Sequence, residues 1–331
     1  MKTASALIMA LALLSLTVRA QDINFSMYHH SPMASNPGML GMQHGTELLV
    51  NYRNQAIDVG ANFQSSQFSF FHPFNVSGNR LVVGASFVND QPGNALSNNG
   101  GLLALAYSVQ LTKYNELSLG LQSGFFGRST GGTFTTDDQF VNGIFDPNST
   151  SGDPLLNRST SYIGISPGLF WRMYDERHHP LAFVGFSIFN LNRPDIAFTD
   201  QAMDRLPMSA KFIGGFTLFQ GQKSTITPTM RWIHQAGQNV LNIGSRFGYT
   251  IVDHHHNFKQ LGFGLWYNTN KLAVLSAEYS QSGVTVAMSY DLPLSNQLSM
   301  GGGTIFELAL SYALPQKSGY HSTLPWRRSL R

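Results

Sequence analysis

Histidines occur in three short clusters, and neutral imidazoles are common ligands of transition metals. The clusters are His29-His30, His178-His179 and Asp253-His254-His255-His256. Successive side chains of a β-strand point to opposite faces, so neighbours in sequence rarely converge on one ion. We therefore expect no metal site, and we expect the second and third clusters to lie in turns.

Oxygen ligands form a second group that could bind an ion. Residues 128–158 contain Asp137, Asp138, Asp146, Asn148 and Asp153. Such oxygens are ligands for Ca²⁺, but their spacing fits no EF-hand loop. The expectation is a solvated loop.

Catalytic groups are not clustered in a recognisable way. We expect no GxSxG nucleophile elbow, no HExxH motif and no phosphate-binding loop. A hydrolase built on a barrel would need Ser, His and an acid or amide to meet on one face, and no predicted strand brings them together persuasively. We expect no cofactor and no enzymatic activity.

Charged residues of the predicted strands share one parity. In each strand we take the more apolar parity as the face toward lipid. That face includes Leu81, Val83, Phe87, Leu117, Leu119, Leu121, Leu241, Ile243, Phe247, Leu261, Phe263 and Leu265. The opposite, inward parity holds Glu47, Arg53, Arg172, Lys211, Arg231, Arg246, Glu278, Asp291 and Glu307. A charge facing lipid at the midplane costs roughly 2–4 kcal/mol, so this segregation favours a membrane barrel.

Buried charges must be paired or hydrated. We expect the inward groups to form ion-pair networks that stiffen the barrel. The alternative is that they form a surface that holds the N-terminal segment or an incoming strand of another protein.

The elements that position these groups are strands, and their alternation is clearest between Gly283 and Pro315. Apolar residues occupy every second position at Val284, Val286, Met288, Tyr290 and Leu292, and again at Phe306, Leu308, Leu310, Tyr312 and Leu314. Each run therefore forms a ribbon with one apolar face and one small or polar face.

The same pattern along the chain predicts an all-β fold, a transmembrane antiparallel β-barrel of about 14 strands. The candidate strands lie near 46–58, 62–74, 78–90, 101–112, 116–127, 159–173, 181–190, 208–220, 223–235, 239–252, 258–268, 271–281, 283–293 and 303–314. Many have the roughly 9–11 residues that a tilted strand needs to cross a bilayer.

The longest predicted connections all follow odd-numbered strands. They are 91–100, 128–158 and 191–207. Short turns, such as 113–115 and 220–222, follow even-numbered strands. Bacterial barrels have long extracellular loops and short periplasmic turns, so we expect the three long loops to lie outside the cell.

The chain divides into four predicted segments. Residues 1–20 are typical of a secretory signal, with an apolar stretch and a cleavage site before Gln21. Residues 21–45 are rich in Met, Pro and Asn, have no period, and are a candidate plug in the lumen. Residues 46–315 form the barrel, and 316–331 form a basic periplasmic tail.

Composition agrees with an export product of the outer membrane. Charged residues make up 12% of the chain, against roughly 25% in soluble proteins. Glycines number 32 and cysteines 0. These features favour an outer-membrane barrel over a secreted all-β protein. No pattern of basic and aromatic residues indicates a nucleic-acid partner.

Four short motifs occur in a fixed order. The predicted mature start carries Gln21, Asp22, Phe25 and Tyr28, followed by Pro32, Asn36 and Pro37. Tyr52, Arg53, Asn54 and Gln55 lie in the first strand, and Tyr290, Asp291, Glu307 and Tyr312 lie in the last two. Together they resemble the PorP/SprF family of type IX secretion system outer-membrane proteins of Bacteroidetes. The chain departs from the family pattern at Ile23, Ala56 and Leu40-Gly41, and it lacks a Cys-Pro near its end.

The resemblance implies a component of type IX secretion at the cell surface, where such systems also serve gliding motility. It implies a role in secretion or surface attachment of specific cargo, such as large adhesins. The implied partners are a cargo protein with a C-terminal type IX signal domain, other type IX subunits and outer-membrane lipid. A porin-like or small-molecule transporter is the alternative, and an outer-membrane lipid hydrolase or deacylase is a third hypothesis.

Overall fold

The computed structural model describes residues 24–56, 62–93, 95–131, 139–141, 144–146, 157–176, 179–199, 203–254, 257–294 and 304–314. The predicted signal 1–20, the motif residues Gln21 and Asp22, and the basic tail 316–331 lie outside the described residues. So does most of the predicted loop 128–158.

Antiparallel strands make up 73% of the described residues. They are β1 Glu47–Ala56, β2 Asn62–Val76, β3 Asn79–Pro92, β4 Leu96–Thr112, β5 Asn115–Thr130, β6 Phe140–Val141, β7 Ile144–Phe145, β8 Ser159–Tyr174, β9 Pro180–Phe189, β10 Ser209–Phe216, β11 Phe219–Gln220, β12 Ser224–Gln235, β13 Gln238–His254, β14 Asn257–Asn268, β15 Leu272–Gln281, β16 Val284–Pro293 and β17 Ile305–Ala313. Three helical turns precede β1: a 3₁₀ turn Tyr28–His30, the short helix α1 Pro32–Ser35, and a 3₁₀ turn Pro37–Met42.

Fourteen of the described strands form a closed ring, which confirms the predicted barrel. Each long strand pairs with its neighbours in sequence, and β1 closes the ring against β17, with Arg53 opposite Glu307. The short β11 is an appendage on β12, while β6 and β7 form a small separate hairpin. Closure pairs both edges of every long strand, which is what a bilayer requires because lipid offers no hydrogen bonds.

The two ends of the barrel differ in the length of their connections. At one end, here called the turn end, β2 and β3 are joined by Ser77 and Gly78, both with positive φ (50° and 82°). Such two-residue turns match the twist of the flanking strands. The other end, here called the loop end, carries residues 131–158 and 190–208 between strands.

Side chains alternate across the wall as the parity analysis predicts. Leu103 is 69% exposed on the outside, whereas Arg172 on the inside is 1% exposed. Every charged residue assigned to the inward parity is buried or half-buried. The buried apolar clusters also lie inside the barrel, where Met27, Met33, Met39, Leu40 and Met42 pack against wall residues.

Two predicted boundaries are wrong. The connection 91–100 is not a long loop, because β3 continues to Pro92 and β4 begins at Leu96. Polar residues carry the ladder past the apolar band, as in the pairing of Asp90 with Asn98. The predicted strand 208–220 is divided, because Phe219–Gln220 pairs only with β12.

Within the described residues, no helix is long and apolar enough to cross a membrane.

Candidate functional site: the occupied lumen

Residues Asn24–Gly45, here called the luminal segment, lie inside the barrel. Their fold follows from two prolines that each begin a helical turn, Pro32 and Pro37, since proline tolerates the first helical position but not a strand interior. Asn36 caps the second turn by accepting a hydrogen bond from Gly38 N at 2.8 Å. The segment has no strand partner, so inward side chains of the wall must satisfy its buried backbone groups.

Acidic wall residues hold the beginning of the segment. The Glu307 carboxylate accepts hydrogen bonds from the backbone N–H of Ser26 at 2.7 Å and of Met27 at 2.9 Å. The Ser26 hydroxyl donates to Asp291. Charge-assisted bonds of this kind are stronger than neutral ones, so the two carboxylates fix the beginning of the luminal segment.

Two arginines complete this anchor. Arg53 donates to the carbonyl of Asn24 at 2.7 Å and to Glu307 at 3.0 Å. Arg231 donates to the carbonyl of Phe25 at 2.7 Å, and its guanidinium lies 4.6 Å from the centre of the Tyr28 ring. At the beginning of the segment, carboxylates of the wall thus accept from backbone N–H groups, and arginines of the wall donate to backbone carbonyl groups.

Charged side chains of the wall also surround the two histidines of the segment. His30 Nε2 lies 3.1 Å from Glu278 Oε2, and Arg246 donates to the other oxygen of the same carboxylate. The His29 ring lies against Trp266 with 5.3 Å between ring centres. The premise that these neighbours sit on a strand is wrong, because a 3₁₀ turn brings both of them into one buried cluster.

Glycines of the wall make room for the middle of the segment. Asn36, Pro37 and Gly38 lie against Gly120 of β5, Gly168 of β8 and Gly185 of β9. A Cβ on Gly120 would stand 2.3 Å from the carbonyl carbon of Pro37, and one on Gly168 would stand 2.2 Å from Asn36 Oδ1. No larger residue fits at these positions without displacing the segment.

Polar contacts around this close packing join the segment to three neighbouring strands. Lys211 Nζ donates to the carbonyl of Ala34 at 2.8 Å, and Ser187 Oγ donates to that of Ser35 at 3.1 Å. Asn36 Nδ2 donates to the carbonyl of Leu169 at 3.0 Å.

The end of the segment meets a second ion-pair network. Arg80 donates to the carbonyl of Gly41 at 2.9 Å and to Glu116 at 2.7 Å. Arg172 donates to the carbonyl of Met42 at 3.2 Å and lies 3.1 Å from His44 Nε2. Sequence analysis missed Arg80 and Glu116, although each has the inward parity, because both lie at the margin of a strand where the apolar alternation has just begun.

The ion-pair network around Glu307 and the one around Glu116 show in which direction the segment runs. Arg53 is six residues along β1 from Glu47, a rise of about 20 Å, and it lies toward the loop end with Asp291 and Glu307. Arg80, Glu116 and Arg172 lie near the turn end. The chain therefore traverses the lumen lengthwise, from the loop end to the turn end, before β1 begins.

Motif residues from distant parts of the sequence meet in this arrangement. Phe25, Tyr28, Pro32, Asn36 and Pro37 are buried in the segment. Arg53, Asp291 and Glu307 face it from the wall, and Gln55 accepts a bond from Arg53 at 3.3 Å. Tyr290 and Tyr312 face outward, each 41% exposed, and Tyr52 and Asn54 share that outward parity. Glu47 is buried at the turn end.

Among the described residues, the remaining candidate ion ligands do not come together in one site. His179 lies 3.0 Å from Asp175 Oδ2 in a short connection at the turn end. His178, His255, His256, Asp137, Asp138, Asn148 and Asp153 lie outside the described residues.

One catalytic pattern escaped the sequence analysis. Gly164-Ile165-Ser166-Pro167-Gly168 matches GxSxG, which in α/β-hydrolases forms a sharp turn between a strand and a helix. Here the five residues lie within the continuous strand β8, and Ser166 Oγ accepts a bond from the backbone N–H of Asn190 at 3.3 Å. The local geometry is a strand and not a nucleophile elbow.

Solved structures share the architecture. The toluene transporter TbuX of Ralstonia pickettii matches with a TM-score of 0.50 and 11% identity, covering 90% of this chain and 96% of that chain. The toluene transporter TodX of Pseudomonas putida matches with a TM-score of 0.49 and 8% identity, covering 86% and 93%. At such identities the first likeness shows the fold alone, and the second adds no argument. Comparison with curated proteins gives no match.

A family model settles the resemblance noted in the sequence. The model for "Type IX secretion system membrane protein PorP/SprF" matches residues 17–312. This range includes the luminal segment and every barrel strand except the last residue of β17. The chain therefore belongs to the PorP/SprF family of type IX secretion system membrane proteins, and it is a β-barrel of the outer membrane.

Proposed function

We propose that this protein supports the secretion or surface attachment of a specific cargo protein, such as a large adhesin, without acting as the conduit itself. The observation that carries the proposal is the luminal segment. Wall groups hold its beginning, its middle and its end, so the barrel interior is built around a piece of its own chain. A supporting, non-enzymatic role agrees both with membership of a type IX secretion family and with a barrel whose interior holds its own chain.

The loop end is the surface that we expect cargo to meet. The described residues 190–199 and 203–208 are folded there: Ile196 and Leu206 are buried, and the backbones of Asp195 and Arg205 form an antiparallel β-bridge. Backbone N–H groups of Ala197 and Asp204 hold the pKa of Asp195 below its ordinary value. A depressed carboxyl pKa favours the folded loop at neutral pH, and that contribution is lost as the pH falls through the folded pKa.

Arg128 links this surface to the barrel wall. Its guanidinium lies 5.1 Å from the ring centre of Phe198, within the range of a cation–π contact. The described part of the connection 190–208 therefore offers a folded surface for the signal domain of a cargo protein or for another secretion subunit.

Comparison of surface proteomes tests the proposal. A clean deletion of the gene should remove one or a few proteins from the cell surface or the medium, and the full-length gene should restore them. Removing residues 132–156 while keeping every strand of the barrel wall should leave a heat-modifiable barrel in the outer membrane but weaken cargo retention. Unchanged surface and secreted proteins, together with reduced uptake of a small solute, would replace this proposal with the transporter alternative.

Conductance gives a second test that does not depend on cargo. The full-length protein in a planar bilayer should conduct little, because the luminal segment fills the barrel. A variant that lacks residues 24–44 should conduct strongly if the wall still closes. Equal, high conductance of the two proteins would show that the segment does not close the lumen.

A further inference from the structure

Three potential metal ligands converge inside the barrel. His29 and His30 come from the luminal segment, and Glu278 comes from the wall strand β15. All three are buried, and each contributes one ligand atom so that the three atoms lie within 4.8 Å of one another. The two imidazole rings are 4.6 Å apart between centres.

Local structure explains how neighbouring histidines come to share a site. In a strand their side chains would point apart, but the 3₁₀ turn Tyr28–His30 directs both rings toward the same side of the lumen. The wall makes room for the carboxylate at Gly262 of β14, where a Cβ would stand 2.4 Å from Glu278 Cγ. The carboxylate therefore occupies a space that the wall leaves for it.

We propose that His29, His30 and Glu278 bind one divalent transition-metal ion of the Zn²⁺ class, which fastens the luminal segment to the barrel wall. Two imidazoles and one carboxylate are a common ligand set for zinc, at bond lengths of roughly 2.0–2.2 Å. Ligand atoms at those lengths lie about 3–3.6 Å apart in a tetrahedral site. The 3.1 Å between His30 Nε2 and Glu278 Oε2 falls in that range.

Arg246 holds the carboxylate in the position that a metal site needs. It donates to Glu278 Oε1, so Oε2, the oxygen on the side of His30, is directed into the cluster. Hydrogen bonds of this kind orient metal ligands and are part of most metal sites.

Unsatisfied polar atoms lie beside the cluster, on the side chain of Arg246. Arg246 Nε and Nη1 are buried without a hydrogen-bond partner among the described residues, while Nη2 of the same guanidinium donates to Glu278. Buried polar atoms normally have partners, often water. A water or small anion on the metal would find donors here, and an anion would offset the positive charge of the ion beside Arg246.

Metal uptake by the purified full-length protein tests the proposal, with Co²⁺ as a spectroscopic probe for Zn²⁺. The protein is stripped with a chelator, checked for a heat-modifiable barrel, and titrated with Co²⁺. We expect one ion per chain to give the visible absorption of a tetrahedral cobalt centre. Only the weak absorption of octahedral cobalt, or no uptake, would overturn the proposal.

Matched variants locate the ion. His30→Gln and Glu278→Gln should each take up one Co²⁺ fewer than the wild type and lose the tetrahedral spectrum. His44→Gln, a histidine of the same segment outside the cluster, and His254→Gln, at the turn end, should keep both. Uptake by His30→Gln equal to that of the wild type would refute the site. If either cluster variant fails to fold, the cobalt spectrum of the wild type and its displacement by Zn²⁺ decide the outcome.

Discussion

The luminal segment is held in two different ways along its length. Between Asn24 and His30 the wall supplies charges, with Glu307, Arg53 and Arg231 bonded directly to the backbone. Between Asn36 and Gly38 the wall supplies space, through glycines that face the segment. The first part depends on pairing and the second on shape, so the two should respond differently to substitution.

Pairing and shape also differ in how much stability a substitution removes. A buried pair loses far more when one partner is removed than it contributes relative to an apolar replacement. At a closely packed site, a larger side chain destabilises the protein in proportion to the overlap that it creates. The loss is smaller where a neighbouring group can shift. We therefore expect the largest losses of stability from substitutions that remove a charge between Asn24 and His30, and graded losses from substitutions between Asn36 and Gly38.

Glu307→Ala should be the most damaging single change. It removes the acceptor of two backbone N–H groups and leaves Arg53 without its carboxylate partner. Removing one member of a buried pair costs roughly 3–5 kcal/mol. Denaturant unfolding in detergent micelles should show a loss of that order in the free energy of unfolding, and the lumen should conduct more.

Glu307→Gln is the matched control for charge. The amide oxygen still accepts one hydrogen bond, so the loss should be clearly smaller than for alanine. Equal losses for the two variants would mean that charge does not hold this end of the segment.

Gly120→Ala should have the next largest effect. The added Cβ would stand 2.3 Å from the carbonyl carbon and 2.4 Å from the carbonyl oxygen of Pro37, so the backbone of the segment must shift. Overpacking costs roughly 1–3 kcal/mol. Gly101→Ala on the neighbouring strand is the control, since its Cβ would meet no atom closer than 3.9 Å. Similar unfolding free energies and conductance for both variants would contradict the shape argument.

The sequence predicts the charged half of this comparison better than the other half. Period-two alternation alone places Glu307, Asp291 and Arg231 on the inner wall, because a charge toward lipid is excluded energetically. The same rule gives Arg80 and Glu116 the inward parity, because both lie within the predicted strands 78–90 and 116–127.

The shape-held half has no such signal. Gly120 and Gly168 are two among 32 glycines, and a glycine does not indicate what packs against it. The luminal segment has no hydrophobic period, so the 3₁₀ turn Tyr28–His30 and the convergence of His29 and His30 depend on contacts with strands more than 200 residues away. Strand ends were misplaced at β3 and β4 because polar residues extend the ladder beyond the lipid-facing band.

Asn36→Ala should have an intermediate effect, because it tests a hydrogen-bonded cap within the shape-held part. The side chain accepts from Gly38 N and donates to the carbonyl of Leu169. Loss of a cap of this kind costs about 1 kcal/mol, with a range of roughly 0.5–2. Asn36→Asp, which keeps the acceptor for Gly38, should recover part of the loss. A loss as large as that of Glu307→Ala would show that the turn is as dependent on polar pairing as the first part.

Tyr28→Phe should have the smallest effect, although Tyr28 lies in the charge-held part of the segment. The hydroxyl donates to Thr229 Oγ1 at 2.8 Å, while Trp266 Nε1 donates to the same oxygen at 2.8 Å. Thr229 therefore keeps a partner when the hydroxyl is removed. The phenylalanine ring keeps its apolar contacts with the buried cluster of Met39, Met42 and Phe170 and its position against Arg231. The loss should lie near the lower end of the roughly 0.5–1.5 kcal/mol typical of one hydrogen bond. A double-mutant cycle with Thr229→Val measures the coupling directly. A loss above the value for Asn36→Ala would contradict this expectation and would show that the hydroxyl also keeps the ring in its position against Arg231.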